Sequence, residues 1–211
     1  MIAQRQLPRL YLTTPALEDT AAFAPAIAAA FEATDIAAVL LRLADADERT
    51  LINRIRTVAP AIQGRDAALL LDGRPELVAR SGADGAHLFG IEAFTAALSM
   101  LKPDRIAGAG GVRNRHDAMA AGESGADYVM FGDPDASGRR PRVELTLDMI
   151  AWWAELIELP CIGYAATLDE IAPLAQAGAD FVALGEWTWQ EPQRAGEVVA
   201  AAARALAARA A

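Results

Sequence analysis

The sequence predicts an α/β protein whose single domain, residues 1–211, folds as a (β/α)8 TIM barrel. Three observations support this fold class. Short apolar runs, typical of strands buried on both faces, alternate with helical patterns eight times, at about 25 residues per unit. Three of the units repeat Gly-Ala-Asp directly before a strand. A chain of 211 residues can bury one full core, and eight units of this size fit a closed barrel better than an open sheet.

The first half of the chain holds four strand–helix units. Thr13-Thr14-Pro15 closes the first strand, and Pro75 suits the first turn of the third helix. Asp19 lies near the start of the first helix, where a carboxylate interacts favourably with the helix dipole. We predict strands at residues 9–13, 37–43, 67–71 and 86–88. We predict helices at residues 17–31, 45–58, 76–80 and 91–101.

The second half continues the same alternation. Asn114 is expected to cap the fifth helix, and Thr167 with Glu170 predicts a capping box at the seventh. The polar segment 133–144 is long for a connection, and such loops are often functional. We predict strands at residues 105–108, 127–132, 161–164 and 180–185. We predict helices at residues 114–124, 146–157, 167–177 and 192–208.

Composition limits the class of partner and the chemistry. The net charge is −9 and the pI is about 4.7, so a general surface for nucleic acid or for an anionic membrane is not expected. A few arginines in a cleft can still bind one phosphate. Lys102 is the only lysine, and it lies between a helix and a strand, away from the expected site. A Schiff-base mechanism is therefore not expected.

The compartment predicted from the sequence is the cytoplasm. Cys161 is the only cysteine, so an internal disulfide is impossible, which fits a reducing compartment. The start of the chain does not have the architecture of a signal peptide. No uncharged apolar run approaches the length of a membrane span.

Position along the strands separates structural from functional residues, because the chemistry of such barrels lies at the carboxyl ends of the strands. The aspartates of the three repeats, Asp84, Asp127 and Asp180, each precede a strand and are predicted to be structural. His87 inside the fourth strand and His116 inside the fifth helix are also expected to be structural rather than catalytic.

Arg42 is the first functional candidate, since it closes an otherwise apolar strand. It is either an anion clamp, because a guanidinium matches the geometry of phosphate, or an ion-paired core residue. Asp72 and Glu92 follow neighbouring strands and can together hold a Mg²⁺ ion that carries a diphosphate. Alternatively, Asp72 pairs with Arg74 or Arg42 without a metal.

Two loops offer further contacts to an anion. The segment Gly108-Ala109-Gly110-Gly111 precedes a helix, so it either cradles phosphate through backbone N–H groups or forms a plain tight turn. The segment Ser137-Gly138-Arg139-Arg140 is either a mobile basic loop that closes on an anion or a solvated surface loop. Trp187 and Trp189 follow the last strand and, if exposed, would form a lid or an interface.

Five stretches together resemble the thiamine phosphate synthase family, which includes thiazole tautomerase relatives, over nearly the whole chain. They are RLYLTT at 9–14, LLR at 40–42, LLLDGRPELVARSGADGAHL at 69–88, SGADYVMFG at 124–132 and AGADFVALG at 177–185. The resemblance implies a barrel that joins a hydroxymethylpyrimidine diphosphate to a thiazole phosphate and releases pyrophosphate. It implies Mg²⁺ as an aid to the leaving group and a small phosphorylated or heterocyclic substrate as the partner. A homo-oligomer is left open.

The resemblance also implies roles for individual residues. Arg42 and Arg140 would contact the diphosphate as catalytic residues, and Asp72 and Glu92 would hold the metal. The loops and the resemblance together predict substrate-binding positions at Arg42, Asp72, Arg74, Gly110, Ser137, Arg139, Arg140, Gly163, Gly185 and Glu186. The family's Gly-Gly after the seventh strand is Gly163-Tyr164 here. Its small phosphate-binding pair after the eighth strand is Gly185-Glu186, which puts a carboxylate where a phosphate would lie.

Three hypotheses follow. The first is a transferase of the synthase type. The second is a barrel with altered or lost catalysis that binds a related small ligand, and Tyr164 and Glu186 favour it. The third is an isomerase similar to thiazole tautomerase, with His116 or Glu186 as the base. In that relative a histidine follows the fifth strand, where Arg113 stands here.

Overall fold

The computed structural model describes residues 7–208, and its eight parallel strands close into a barrel in the order β1 to β8. The strands are β1 (Arg9–Leu17), β2 (Ile36–Leu43), β3 (Ala68–Asp72), β4 (Gly85–Phe89), β5 (Ile106–Gly110), β6 (Tyr128–Phe131), β7 (Cys161–Ala165) and β8 (Phe181–Leu184). The helices are α1 (Thr20–Ala33), α2 (Glu48–Gln63), α3 (Pro75–Ser81), α4 (Ile91–Leu101), α5 (Arg115–Glu123), α6 (Val143–Leu156), α7 (Ile171–Ala177) and α8 (Ala195–Ala207). The predicted (β/α)8 barrel is confirmed.

The barrel interior is filled by side chains from alternate strand positions, because successive residues of a strand face opposite sides of the sheet. This interior layer consists of Tyr11, Ala38, Leu40, Leu70, Tyr128, Met130, Ile162, Tyr164 and Ala183. The outward-facing residues pack against the helices in a larger apolar layer that includes Ile55, Phe94 and Trp153. Since the interior is filled, a ligand can enter only at an open end of the barrel.

β1 runs past its predicted end at Thr13. After a register shift the strand pairs again, with Ala16 opposite Arg42 and Leu17 opposite Leu43. A bulge of this kind accommodates Pro15, which has no N–H for the ladder. The predicted end was wrong because a proline stops regular pairing without ending a strand.

Side-chain caps set the starts of two helices. α1 starts at Thr20, later than predicted, because the Asp19 carboxylate accepts a hydrogen bond from the Ala22 N–H at 3.0 Å. The predicted cap at Asn114 is confirmed, since its side-chain oxygen accepts the Asp117 N–H at 2.9 Å. In both cases the cap satisfies an N–H group that lacks an intrahelical partner.

The predicted capping box at Thr167 and Glu170 is wrong. Thr167 makes no side-chain cap bond, and the Glu170 carboxylate instead accepts the Ala166 N–H at 2.8 Å and pairs with Arg140. The chain here forms a 3-10 helix, Leu168–Glu170, before α7 begins. The local pattern missed this arrangement because Arg140 reaches Glu170 from a distant loop.

Other helix boundaries differ by a few residues. α2 continues to Gln63 because Ala59 and Ile62 extend its buried face while Pro60 lies on the exposed side. α6 starts at Val143, which shortens the polar loop after β6. Further 3-10 turns lie at Glu186–Trp189 and Pro192–Arg194. Within residues 7–208, no helix is long and apolar enough to cross a membrane.

The aspartates of the three repeats tie neighbouring strand starts together. Each carboxylate accepts a backbone N–H from an earlier strand, and the N–H of each aspartate donates back to the carbonyl of the same residue at 2.9 Å. The carboxylate bonds join Asp84 to Leu69 at 2.7 Å, Asp127 to Ala107 at 2.7 Å and Asp180 to Cys161 at 2.9 Å. Lys102 also lies at this end, where its ammonium donates to Asp127 at 2.6 Å. The structural role predicted for the three aspartates is confirmed.

Replacement of Asp84 tests this clamp. Asp84→Ala is expected to lower the free energy of unfolding by about 1–3 kcal/mol, because the fully buried Leu69 loses the partner of its N–H. Urea unfolding followed by circular dichroism measures the change. Asp104→Ala removes an exposed aspartate near the same end and should cost less than about 0.5 kcal/mol. Equal losses in the two variants would contradict a clamp at Asp84.

Candidate active site

A cavity of about 240 Å³ lies at the carboxyl ends of the strands, and we call it the mouth cavity. Its polar lining consists of Thr13, Arg42, Asp72, His87, Asp133, Asp135 and Tyr164. Thr13, Arg42 and Asp72 each stand two residues beyond an interior residue of the same strand, so strand alternation directs them to the mouth. The strand-end residues Arg42 and Asp72 therefore line a cavity, as the predicted site requires.

Arg42 lies in the mouth cavity with about a third of its side chain exposed. Its Nε donates to the Asp72 carboxylate at 3.0 Å, and its Nη1 pairs with Glu186 from the turn after β8. The Arg42 backbone N–H donates to Thr14 Oγ1 at 2.9 Å. The ion-paired reading of Arg42 is thus confirmed, and the anion clamp stays a prediction for an arginine that lines a cavity. Of the two predicted partners of Asp72, the structure selects Arg42.

Arg140 stands in an adjoining cavity of about 430 Å³ that Arg113 and Arg139 also line. Asp135 lines both this cavity and the mouth cavity, so the two cavities are adjacent. The Arg140 guanidinium binds the Glu170 carboxylate through both terminal nitrogens, with Nη1 to Oε2 at 2.9 Å. A two-point pair of this kind fixes the plane of the guanidinium.

The charged groups around the mouth change the pKa of the Tyr164 hydroxyl. Burial raises its pKa, and the Glu186 carboxylate raises it further, while the guanidinium groups of Arg42 and Arg140 lower it. All three charged groups therefore act on one point of the mouth. Arg42 lines the mouth cavity and Arg140 the adjoining one, each bound by carboxylates, and their joint contact with one anion stays a prediction.

The end of β8 is covered rather than open. A Cβ atom added at Gly185 would lie 2.5 Å from the Tyr164 hydroxyl oxygen, so the tyrosine ring packs directly on this glycine. Glu186 begins the 3-10 turn Glu186–Trp189 and directs its carboxylate to Arg42. The small residue predicted to receive a phosphate is present, but Tyr164 occupies the space above it.

Of the predicted site residues, Arg42 and Asp72 line the mouth cavity, and Arg139 and Arg140 line the adjoining one. Three of the others lie away from both. Glu92 lies on the exposed first turn of α4 and does not line the cavity. Arg74 donates to the exposed Asp45 carboxylate at 2.5 Å outside the mouth. Gly163 faces the helix layer, where a Cβ atom would lie 2.9 Å from Ile150 Cδ1. Strand alternation sends Gly163 outward because its neighbour Tyr164 faces inward.

Ser137 and Arg139 form hydrogen bonds within their own loop. The Asp135 carboxylate accepts the N–H of Ser137 at 2.8 Å, the hydroxyl of Ser137 at 2.6 Å and the N–H of Arg139 at 3.1 Å. The Ser137 hydrogen bond is the main cause that lowers the pKa of Asp135 from 3.8 to about 2. Arg139 is highly exposed, so it remains available to an anion at the rim.

Gly110 packs against two residues that line the mouth cavity and so forms its floor, while the phosphate cradle stays a prediction. A Cβ atom there would collide with the His87 ring and would lie 2.7 Å from Asp133 Oδ2. Asp133 is nearly buried and accepts the Gly111 N–H at 2.8 Å. Arg113 reaches the same residue and donates to its backbone carbonyl at 2.8 Å.

Below the floor, a chain of buried polar side chains follows the barrel axis. His87 Nδ1 lies 2.9 Å from the Tyr128 hydroxyl, which lies 3.2 Å from the Tyr11 hydroxyl. Burial raises the pKa of both tyrosines, so both stay protonated at neutral pH. The chain holds the His87 ring in one orientation.

Sequence reasoning missed His87 as part of the cavity, and it included Asp133 only as a member of the polar segment 133–144. His87 was predicted to be structural, which is true of its Nδ1 bond, but its ring also lines the mouth. A usable signal existed: His87 has the interior parity of β4, and Asp133 opens the loop after β6. His116, by contrast, is exposed on α5 and does not line the mouth cavity, which removes support for it as a base.

The two tryptophans after β8 form neither a lid nor an exposed surface. Trp189 is buried, donates to the Thr13 carbonyl at 2.8 Å and packs on Phe23 with ring centroids 5.0 Å apart. Trp187 is half-buried and donates to the Ala165 carbonyl at 2.9 Å. Both anchor the turn that carries Glu186 to the barrel.

In the described part of the chain, no group of three or more His, Cys, Asp or Glu side chains is placed to hold a metal ion. Mg²⁺ commonly needs only one or two protein carboxylates when a bound phosphate supplies the other oxygens. Asp72 offers one such carboxylate in the mouth cavity. Its Oδ2 accepts from Arg42, and Oδ1 has no hydrogen bond to the residues that the structure describes.

Comparison with known proteins gives a consistent result. The family model described as thiamine monophosphate synthase matches residues 10–186. A thiamine-phosphate synthase of Rhodospirillum centenum is 42% identical over 187 residues, which cover 87% of this chain and 90% of that protein. A thiamine-phosphate synthase of Hyphomonas neptunium is 34% identical over 193 residues, covering 88% and 87%.

A solved structure shares the fold. A thiamine phosphate pyrophosphorylase from Pyrococcus furiosus superposes with a TM-score of 0.77 and covers 98% of this chain and 99% of its own. The sequence identity is 20%, so this likeness supports the barrel and not the site.

Gly110→Ala tests the floor of the mouth cavity. The added methyl group must displace His87 or Asp133, so we expect a loss of about 1–3 kcal/mol in the free energy of unfolding. Denaturant unfolding measures this loss. The control is Gly122→Ala, where the nearest atom is an ordinary 3.5 Å away and a helix interior favours alanine. A Gly110 variant as stable as the control would contradict the packed floor.

The Asp135 carboxylate gives a test by pH. Because its pKa in the folded chain lies below the ordinary 3.8, its hydrogen bonds stabilise the loop above that pH and are lost as the pH falls towards 2. Carbon-13 NMR should give a titration midpoint near pH 2 for this group. Ser137→Ala should move the midpoint up towards 3.8, and Ser99→Ala on α4 should not. An unchanged midpoint in the Ser137 variant would contradict the assigned cause.

Proposed function

The chain belongs to the thiamine monophosphate synthase family, and from this premise we propose that it condenses a hydroxymethylpyrimidine diphosphate with a thiazole phosphate in thiamine biosynthesis. In this reaction the carbon–oxygen bond to the diphosphate breaks, and its electron pair leaves with pyrophosphate. The thiazole nitrogen then forms a new bond to the methylene carbon of the pyrimidine. The product is thiamine phosphate.

The position of Arg42 carries this proposal. It stands at the carboxyl end of β2 inside the mouth cavity, and its guanidinium is held in place by Asp72. A guanidinium has five N–H donors, and the two carboxylates leave several of them for a ligand. Arg42 can therefore bind the diphosphate and stabilise the charge that develops on departing pyrophosphate.

Arg140, which lines the adjoining cavity, supports the same role. Its charge reaches the Tyr164 hydroxyl together with that of Arg42. The polar loop 133–142 carries Ser137, Arg139 and Arg140, and it borders both cavities. We infer that Arg140 and Arg139 contact the outer phosphate while the loop covers the reacting bond and excludes water.

Mg²⁺ fits the donors that remain. We propose that Asp72 and the oxygens of the diphosphate hold the ion, which when bound would neutralise charge on the leaving group. Glu92 stays outside the lining of the mouth cavity, so of the two predicted metal ligands we assign Asp72 alone. Asp72 also holds Arg42, and it thereby sets the distance between the guanidinium and the ion site.

A second candidate is favoured by the covered end of β8. Barrels of this class often bind a phosphate in the loops after strands seven and eight. Here Tyr164 fills that space, and the Glu186 carboxylate faces it. The alternative is a barrel that binds a related small ligand without a phosphate at this end.

Turnover decides between the two. We expect the purified protein to release pyrophosphate from the pyrimidine diphosphate and thiazole phosphate with Mg²⁺ present. Arg42→Ala should slow this reaction by about a hundredfold or more, because it removes charge stabilisation of the leaving group. Arg65→Ala, which removes an exposed arginine that pairs with Glu32 away from the mouth, is the matched control and should keep the wild-type rate.

A thermal shift separates binding from catalysis. Pyrophosphate with Mg²⁺ should raise the melting temperature of wild type and of Arg65→Ala, and the increase should vanish in Arg42→Ala. The absence of turnover in wild type would reject the synthase and leave the second candidate. A pyrophosphate shift that persists without Arg42 would reject this arginine as the clamp.

A further inference from the structure

A second cavity, of about 310 Å³, lies at the amino end of the barrel, opposite the mouth, and we call it the amino-end cavity. Its volume is at the lower end of the range of about 300–1,000 Å³ that is typical of ligand sites. Within residues 7–208, no residue lines both this cavity and the mouth cavity. Its lining includes the first residues of five strands, which are Arg9, Ala68, Ile106, Tyr128 and Phe181. The amino-end cavity is thus large enough for a small ligand and separate from the candidate active site.

The walls of the amino-end cavity are mostly apolar and aromatic. Leu70, Ile162 and the side chains of Tyr11 and Tyr128 form its buried part. Ala68 contributes only a methyl group to the wall, which leaves room beside these larger side chains. Apolar cavities in proteins bind molecules such as benzene, and tyrosine rings favour edge-to-face or offset contact with another aromatic ring. A small aromatic ring therefore matches this space.

The charged residues of the lining do not favour a charged ligand. Arg9 and Asp127 are the charged members of the described lining. Arg9 pairs with Asp35 at 2.7 Å, and Asp127 pairs with Lys102 at 2.6 Å. A charged ligand would have to compete with these ion pairs, and it would lose its hydration against apolar walls. The cavity is therefore suited to an uncharged ligand.

Three side chains in contact join the two cavities along the barrel axis. Tyr11 and Tyr128 line the amino-end cavity, and His87 lines the mouth cavity. The Tyr128 hydroxyl lies 2.9 Å from His87 Nδ1, and the two rings stack with their centroids 5.7 Å apart and their planes 10° apart. The Tyr11 ring packs edge-on against Tyr128, with centroids 6.2 Å apart. A ligand that contacts the tyrosine rings is thus one residue away from the mouth cavity.

We propose that the amino-end cavity binds a small, uncharged aromatic molecule, and that this ligand changes the orientation of His87 in the mouth cavity through Tyr128. Tyr128 is then a positioning residue that couples the two ends of the barrel. Such coupling is reciprocal, so a ligand that moves His87 from the mouth would change affinity at the amino end. The binding site does not depend on the proposed function, whereas any effect of the ligand on turnover rests on it.

Indole is the probe for the site. In NMR spectra of the full chain, bound indole should give nuclear Overhauser effects to the methyl groups of Leu70 and Ile162. Ala68→Leu fills the cavity and should weaken indole binding by at least about tenfold, because the new side chain takes the space of the ring. Ala61→Leu is the matched control, since it enlarges a half-buried alanine on α2 outside the cavity, and it should bind indole as wild type does. Circular dichroism checks that both variants fold.

The two histidines of the chain provide the test of coupling. With isotope-labelled histidine, indole should shift the ring signals of His87 and leave those of His116, which is exposed on α5, unchanged. Tyr128→Phe keeps the ring that lines the cavity and removes the hydroxyl that bonds to His87. This variant should still bind indole, and most of the His87 shift should be lost.

The outcomes separate this inference from the proposed function. Absence of contacts from indole to Leu70 and Ile162, or equal shifts of both histidines, would overturn the site. Bound indole that leaves His87 unmoved, or a full His87 shift in Tyr128→Phe, would overturn the coupling. None of these measurements uses a phosphorylated substrate, so they stand even if the chain releases no pyrophosphate. A chain that turns over but does not bind indole would overturn this inference alone.

Discussion

Closure of eight parallel strands is the constraint on which the site depends. Once the barrel closes, each strand presents only every second residue to the interior, and the last of these faces the mouth. Thr13, Arg42 and Asp72 reach the cavity because each stands two residues above an interior neighbour. The same rule places Tyr164 inside and sends Gly163 to the helix layer. The aspartate clamps keep the strand starts in the register that this alternation requires.

Carboxylates offset the charges of the two central arginines before any ligand binds. The chain carries a net charge of −9, and both central arginines are bound by carboxylates, Arg42 by Asp72 and Glu186 and Arg140 by Glu170. An exposed ion pair contributes only about 0–1 kcal/mol, so a diphosphate can displace Glu186 at small cost. Asp72 and Glu170 are more enclosed and hold the guanidinium groups in orientation. Under the proposed function, anion binding would exchange one partner of Arg42 for another.

Two glycines on β5 leave room for polar side chains at the floor of the cavity. At Gly110 a side chain would strike His87 and Asp133, and at Gly108 it would lie 2.6 Å from Tyr128 Cε1. The missing side chains on β5 make room for a histidine and a tyrosine on the barrel axis. Buried polar side chains destabilise a filled interior unless they form hydrogen bonds. Here Tyr11, Tyr128 and His87 Nδ1 form hydrogen bonds with one another.

The sequence by itself determined the fold, the end of the barrel that holds the candidate site, and the presence there of Arg42 and Asp72. These follow from periodicity and from strand ends, which are local properties of the chain. The three clamp aspartates were also readable because the repeats mark them. Tertiary structure alone decided that Glu186 and Asp72 share Arg42, that Glu170 serves Arg140 rather than a helix cap, and that His87 belongs to the cavity. These contacts join residues far apart in the chain, and their geometry exists only after the barrel has closed.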